Sequence, residues 1–420
     1  MTDNNRASNR ALAAWCSFDW ANSAFPTVIT TFVFAAYFTE GVSADKAAGT
    51  AAWGYAISVS AVLIAVLSPI LGAVADHGGR RKPWLLVLTM TCVAASAGLW
   101  WVEPDASFAL MALVLVVIAN TAFETGMVFY NAMLADLVPR DKLGRLSGWA
   151  WGLGYFGGLA CLVVMLAGFI QTDAPWFGLS KDMAEHVRIS GPVVAVWFAL
   201  FSLPMFLWVP DKPKSTIPAA QAVKQGMRAL SDTIRRIGEF RNVARFLIAR
   251  MFFIDGLNTL FAFGGIYAAG TFGFSFEDLI LFGIGMNVTA GLGAAGFAWA
   301  DDRFGAKAVI MVAVSGLIVL SAIVLVVESK ILFWTFGLPL GLFVGPAQSA
   351  SRSMMARMAP ADMRTEMFGL FALSGKATAF MGPALLGWVT VTMDSQRWGM
   401  ATILAFFVVG LWLMRGVREG

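Results

Sequence analysis

The chain has 420 residues, of which 58% are apolar and only 13% charged, and its mean hydropathy is strongly positive. That is more apolar surface than a soluble core of this length needs, which excludes a soluble globular protein and leaves a polytopic, all-α membrane protein. The formal net charge of +4 is small, and the basic residues fall in loops at the ends of apolar runs, so they read as topology signals and exclude a nucleic-acid face.

A membrane span needs about 20 mainly apolar residues at roughly 1.5 Å each. Twelve stretches qualify, near 11–39, 51–75, 83–102, 107–135, 145–170, 189–209, 243–270, 277–300, 307–327, 331–356, 365–391 and 397–414. The polar first ten residues run into a long apolar segment, and no secretory signal peptide is expected. An even number of spans places both termini on one side. Of the 30 Lys and Arg residues, only Lys46, Lys181, Arg188, Lys330 and Arg397 fall in loops on the opposite side, and Arg250, Arg352 and Lys376 lie inside spans. The side bearing the termini is therefore expected to be cytoplasmic, in a bacterial inner (plasma) membrane. Cys16, Cys92 and Cys161 sit in apolar segments and indicate packing, with no disulfide framework.

Residues 210–242 interrupt the spans. Pro210, Pro213 and Pro218 open the stretch, and Val223, Met227, Leu230, Ile234 and Ile237 then recur at helical spacing opposite Lys224, Arg228, Arg235 and Arg236. A basic amphipathic helix is expected here, lying apolar face down on the membrane surface. It would join a six-helix bundle over 1–209 to a second over 243–420.

The two halves repeat each other. Gly72-Ala-Val-Ala-Asp76-His77-Gly-Gly79-Arg80-Arg81-Lys82 follows the second span, and Ala298-Trp-Ala-Asp-Asp302-Arg303-Phe-Gly305-Ala-Lys307 follows the eighth. At an offset of about 221, Met133-Leu-Ala-Asp-Leu-Val-Pro139 with Gly148 matches Met354-Met-Ala-Arg-Met-Ala-Pro360 with Gly369. The first span of each half shares a D-x-x-N-[ST]-x-F pattern, Asp19 to Phe25 and Asp255 to Phe261. Residues three apart share a helix face, so each half is expected to present an acid and an amide together, Asp19 with Asn22 and Asp255 with Asn258. Duplicated halves around a central linker are the plan of a secondary transporter, with its site between the repeats.

These motifs resemble the major facilitator superfamily. Within it, Asp19-Trp-Ala-Asn22-Ser-Ala-Phe25, Val128-Phe-Tyr-Asn131-Ala, Ser351-Arg352-Ser353 and Ala372-Leu-Ser-Gly-Lys376-Ala-Thr-Ala-Phe-Met-Gly-Pro383 resemble the branch named for the vacuolar amino-acid effluxer of autophagy. The resemblance covers nearly the whole chain. It implies twelve transmembrane helices in two pseudo-symmetric six-helix bundles, a central cavity lined by the first and fourth helices of each half, and alternating access with export of amino acids or similar small solutes. Two departures stand out: the fourth span offers Glu124 where drug antiporters have arginine, and the fifth has several glycines and no glycine-proline element. Ala298 also replaces the first glycine of the repeated loop.

Charged groups inside a bilayer survive where they face water, a partner or a substrate. Asn120, Glu124 and Asn131 form one polar stripe on the fourth span, and Gln348 and Arg352 form another on the tenth, with Arg352 equivalent to Asn131. Lys376 lies roughly 17 Å into the eleventh. A zwitterionic solute needs a cation for its carboxylate, which Arg352 or Lys376 supplies, and an acid for its ammonium, which Asp19, Glu124 or Asp255 supplies; any of these acids is alternatively a carrier of a coupling proton. In the loops, Gly72, Asp76, Gly79, Arg80 and Arg81, echoed by Asp302, Arg303 and Gly305, are expected to gate one side, with Asp76 meeting either arginine side chains or a neighbouring helix N-terminus. No Walker loop, nucleophile elbow or His-Glu-x-x-His motif occurs, so no enzyme activity, metal or cofactor is expected. A monomer moving a small polar solute suffices for this plan. A transport-inactive sensor on the same fold and a drug/proton antiporter are the alternatives, and solute flux separates the first from a transporter.

Overall fold

The computed structural model describes residues 7–213, 215–235 and 238–419, and contains helices and no β-strand among them. In chain order the helices are α1 (Asn9–Val42), α2 (Lys46–Gly78), α3 (Lys82–Trp101), α4 (Ala106–Leu137), α5 (Arg140–Ile170) and α6 (Glu185–Trp208). After the linker helix α7 (Ala219–Arg235) come α8 (Arg241–Phe272), α9 (Glu277–Phe304), α10 (Ala306–Val326) and α11 (Lys330–Met358). Then follow α12 (Arg364–Ser374), α13 (Met381–Thr392) and α14 (Gln396–Arg415). Eleven of these are long and apolar enough to cross a membrane.

The remaining span differs from the continuous helix expected over 365–391. It is two helices, α12 and α13, separated by turns over 375–380. Pro383 falls in the first turn of α13, where its missing N–H has no role, but the same residue cannot continue a helix arriving from α12. Gly375 and Gly382 flank the interruption and weaken the helix further. A related effect occurs in α1, which winds in π turns over Phe25–Phe32 and Phe38–Val42, the first beginning beside Pro26.

The chain forms two compact units. The first comprises Met1–Leu67, Gly79–Tyr130 and Leu153–Ser215. Its core joins α1 to α4: Trp15 stacks on Tyr130 with ring centroids 4.4 Å apart, the Trp15 indole donates to the Tyr130 carbonyl, and the Tyr130 hydroxyl returns a bond to the Trp15 carbonyl at 3.0 Å. The α5 glycines pack here as close-approach positions; a Cβ on Gly157 would lie 2.7 Å from the Trp20 Cα. The second unit comprises Ser68–Gly78, Asn131–Gly152 and Thr216–Gly420. It therefore contains the ends of α2 and α4 and the start of α5 together with α7 to α14.

The linker helix belongs to this second unit, where it packs on protein with a stripe that shares only Leu230 with the expected apolar face. Ala222, Gly226, Leu230 and Thr233 form the buried stripe, while Val223 and Met227 are 47% and 44% exposed beside Lys224 and Arg228. The side chain of Ile234 and residues Arg236 and Ile237 lie outside the described residues. The rotation has a steric cause: the stripe contains the one residue small enough to meet the end of α2, since a Cβ on Gly226 would lie 2.8 Å from the Val74 Cα. Gly226→Leu should therefore lower stability by about 1–3 kcal/mol, read as a fall in apparent Tm in detergent. Val223→Leu on the exposed face should leave Tm unchanged, and equal behaviour of the two variants would place the helix elsewhere.

Candidate gate and solute site

The two loop motifs build the same turn twice. α2 ends at Gly78 and α9 at Phe304, and the next residues, Gly79 and Gly305, have φ of +85° and +89°, a region that a side chain rarely enters. Beyond each turn the next helix is capped by an acid that follows the last span of its half. The Asp211 carboxylate accepts from the backbone N–H of Arg81 at 3.0 Å and of Lys82 at 3.1 Å. The Glu419 carboxylate accepts from Ala306 N–H at 2.7 Å and Lys307 N–H at 3.0 Å. The lysines reply in kind: Lys82 Nζ donates to the Val209 carbonyl and Lys307 Nζ to those of Arg415 and Val417. Arg81 is buried, Arg80 is exposed, and Arg303 is exposed with its guanidinium 5.3 Å from the Phe304 ring.

Within the second unit the loop acids make a reciprocal pair of contacts. Asp76 Oδ1 accepts from the Thr365 hydroxyl at 2.6 Å and Oδ2 from the Glu366 N–H at 2.9 Å, at the start of α12. Asp302 Oδ1 accepts from the N–H of Gly144 at 2.8 Å and of Arg145 at 3.2 Å, at the start of α5, and Oδ2 pairs with Arg145 Nε at 3.0 Å. Residues 144 and 145 are the repeat equivalents of 365 and 366. Each acid thus satisfies helix-start donors and lies at the positive end of a helix dipole belonging to the other half of the sequence.

Close helix crossings make these caps reachable. A Cβ on Gly369 would lie 2.5 Å from the Ser68 carbonyl, and one on Gly148 would lie 2.5 Å from the Ala294 carbonyl. Gly72 meets the Thr365 carbonyl at the same distance. At its echo, Ala298 is accommodated because the facing residue is Gly148.

A buried ionic cluster lies beside the Asp302 contact. Arg357 Nη1 lies 2.5 Å from Asp301 Oδ1 and 3.2 Å from Glu419 Oε1, and Nη2 lies 3.8 Å from Asp302 Oδ1. The Ser353 hydroxyl donates to Asp301 Oδ2 at 2.5 Å. Arg364 pairs with Asp136, and Arg140 donates to the Arg357 carbonyl at 3.0 Å. The linker helix approaches the cluster through Thr233, whose hydroxyl donates to the Ala229 carbonyl at 3.0 Å and lies near the Glu366 side chain.

Of the intramembrane candidates, Asp19, Asn22 and Glu124 belong to the first unit. Asp19 and Asn22 are buried, and the Asn22 amide donates to Asp19 Oδ1 at 3.3 Å, the acid and amide pair that the spacing predicts. Glu124 is half-buried. In the second unit the matching pair does not form: Asn258 is exposed, while Asp255 is 2% exposed. The Asp255 carboxyl instead takes the hydroxyl of Thr378, inside the interruption between α12 and α13, and its Oδ2 has no hydrogen-bond partner. Lys376 lies in that interruption too. Arg250 fixes the end of α12 before it, donating to the Phe371 carbonyl at 2.8 Å and the Ser374 hydroxyl at 2.9 Å.

Arg352 is 1% exposed and joins three helices. Its Nε donates to the Ser147 hydroxyl at 2.9 Å, Nη2 to the Ser147 carbonyl at 2.7 Å and Nη1 to Asn131 Oδ1 at 3.4 Å. Gln348, one turn away, is half-buried. Among the described residues no cluster of three or more His, Cys, Asp or Glu side chains is placed to hold a metal.

Several of these residues were not singled out in the sequence: Asp301, Arg357, Asp211, Glu419, Thr365, Glu366 and Thr378. Signals existed for some. The repeat alignment sets Arg357 opposite Asp136, and one acid follows the final span of each half.

Comparisons with known proteins agree with this architecture. A sequence model of the family described as "Vacuole effluxer Atg22 like" matches residues 42–419. An uncharacterized MFS-type transporter, YxiO, of Bacillus subtilis (strain 168) is 28% identical over 97% of this chain and 94% of its own length. Autophagy-related protein 22 of Coccidioides immitis (strain RS) is 22% identical over 87% of this chain and 72% of its own. Among solved structures, the proton:xylose symporter XylE superposes with a TM-score of 0.75 at 15% identity, covering 98% of this chain and 96% of that one. The transporter FucP in its outward conformation gives 0.74 at 14% identity, covering 97% and 99%. The chain is a transporter of the major facilitator superfamily and belongs to its Atg22-like family.

Proposed function

We propose that this protein exports a small zwitterionic, amino-acid-like solute by proton-coupled alternating access, as a monomer in a bacterial inner membrane with both termini cytoplasmic. Its moving halves are 1–209 and 243–420, joined by 210–242. The observation that carries the proposal is the interrupted span between α12 and α13. Backbone without helical partners is tolerated at membrane depth only where protein buries it or where it lines a water-filled cavity. Such interruptions are where transporters bind solutes and coupling ions. Here the interruption holds Lys376 and Thr378, and Thr378 meets the buried acid Asp255. In this reading Asp255 carries the coupling proton and Lys376 takes the solute carboxylate.

The reciprocal caps supply the alternation. Each acid-to-helix contact is a short set of charge-assisted bonds that is made in one conformation and broken in the other. The description of the matching family, "Vacuole effluxer Atg22 like", supports export as the direction.

Proteoliposomes loaded with labelled amino acids or dipeptides, with and without a pH gradient, test the reading. For Asp255→Asn, gradient-driven flux should fall at least about tenfold, as expected for loss of a charged hydrogen-bonding group, while solute exchange persists. Loss of exchange as well would make Asp255 a solute ligand. Transport like that of the wild type would remove it from the site.

A further inference from the structure

At the membrane-surface ends of α8 and α14 lies a cavity of about 350 Å³ lined by Arg245, Ile248, Trp412, Leu413, Arg415 and Gly416. It lies wholly within the second unit and shares with the gate contacts only Arg415, whose backbone carbonyl, not its guanidinium, receives Lys307 Nζ. Two guanidinium groups therefore border one space, and both arginines are exposed. Neither forms an ion pair among the described residues. The carboxylate nearest in sequence to Arg415 is Glu419, and it is engaged by Arg357 and by the start of α10. The cavity is thus lined by two cations and no acidic residue.

Its walls are not those of a site for a free ion. Trp412 is 66% exposed and Ile248 47% exposed, so an apolar surface continues out of the cavity along two membrane helices. Tryptophan at a span end favours the headgroup level of a bilayer. In the first unit, by contrast, the Arg10 guanidinium lies 3.8 Å over the Trp208 ring, between α1 and α6, so there the arginine covers the tryptophan itself.

We propose that this cavity binds the headgroup of an anionic phospholipid. Arg245 and Arg415 clamp the phosphodiester, and an acyl chain runs along Trp412 and Ile248. Guanidinium forks match phosphate oxygens geometrically as well as electrostatically. Basic pockets between membrane helices beside an anionic leaflet are suited to this ligand chemistry. An amphipathic occupant also accounts for both halves of the surface, the charged cavity and the apolar strip leading from it.

Native mass spectrometry of the full-length protein, delipidated in detergent and titrated with phosphatidylglycerol, phosphatidylcholine or inorganic phosphate, tests the proposal. Wild type should retain phosphatidylglycerol preferentially. The double variant Arg245→Gln/Arg415→Gln should weaken that binding roughly 30-fold, from two lost basic contacts, and bring it to the phosphatidylcholine level. Arg228→Gln, an exposed arginine on α7 outside the cavity, should change nothing, which separates a built site from loss of general positive charge. Trp412→Ala should weaken the lipid without creating phosphate binding. Equal retention by the double variant, equal binding of the two lipids, or displacement of phosphatidylglycerol by inorganic phosphate would each overturn the assignment, the last in favour of a soluble anion.

Discussion

Arg357→Met is expected to destabilise the protein by about 3–5 kcal/mol, because it leaves the Asp301 charge buried without its cation. Asp301 is 3% exposed, and the ion pair at 2.5 Å is the shortest contact of its carboxylate with a cation. The Ser353 hydroxyl remains, but one neutral donor does not replace a guanidinium. The measurement is unfolding in mixed micelles, followed as loss of helicity against denaturing detergent. The double variant Asp301→Asn/Arg357→Met should recover most of the loss, since removing both charges also removes the desolvation cost. A double variant as unstable as the single would locate the cost in the Arg357 contacts with Glu419 and Asp302 instead.

The second large effect is expected from Asp76→Asn combined with Asp302→Asn. Each acid holds helix-start donors through charge-assisted bonds worth about 1.5–3 kcal/mol, and the two contacts are equivalent members of the repeat. Losing both should shift the equilibrium away from the engaged conformation by about 4 kcal/mol, or roughly a thousandfold. Hydrogen exchange gives a local readout. The Glu366 amide, bonded to Asp76, and the Gly144 and Arg145 amides, bonded to Asp302, should lose protection together while the amides of the Phe253 region keep theirs. Protection unchanged at these amides would mean that the caps do not hold the conformation. If each single variant exposes only its own helix start, the two contacts are independent and no single two-state element joins them.

The spans and the repeat were legible in the sequence because both depend on composition along the chain. Length and apolarity identify a membrane helix whatever its neighbours, and duplicated loops announce themselves as text. The interrupted eleventh span escaped because hydropathy does not register backbone hydrogen bonding, although Gly375, Gly382 and Pro383 stood in plain view. The acid and amide pattern shows the limit of periodicity. In α1 the bond from Asn22 to Asp19 forms as the spacing predicts. In α8 the same spacing leaves Asn258 exposed, and Asp255 has Thr378 of the interrupted span as its neighbour. The linker helix was recognisable, yet its buried face was set by the α2 backbone opposite Gly226, which no property of the helix alone reveals. The acid contacts at helix starts were foreseeable for Asp76 from charge and position. The pairing of Asp301 with Arg357 joins residues 56 positions apart through a fold that had first to exist.

The hydrogen bond between Asn131 and Arg352 spans 221 residues, and 221 is also the displacement that superimposes the fourth span on the tenth. The two partners are therefore one ancestral position meeting its own copy, as happens only on the local two-fold axis of a duplicated structure. In a homodimer such a residue would be forced to face itself, and an arginine there would set two buried guanidinium groups against each other. Within a single chain the two equivalent positions need not carry the same residue. One copy became the donor and the other the acceptor, so heterogeneity at the axis is what permits a buried cation to sit there at all.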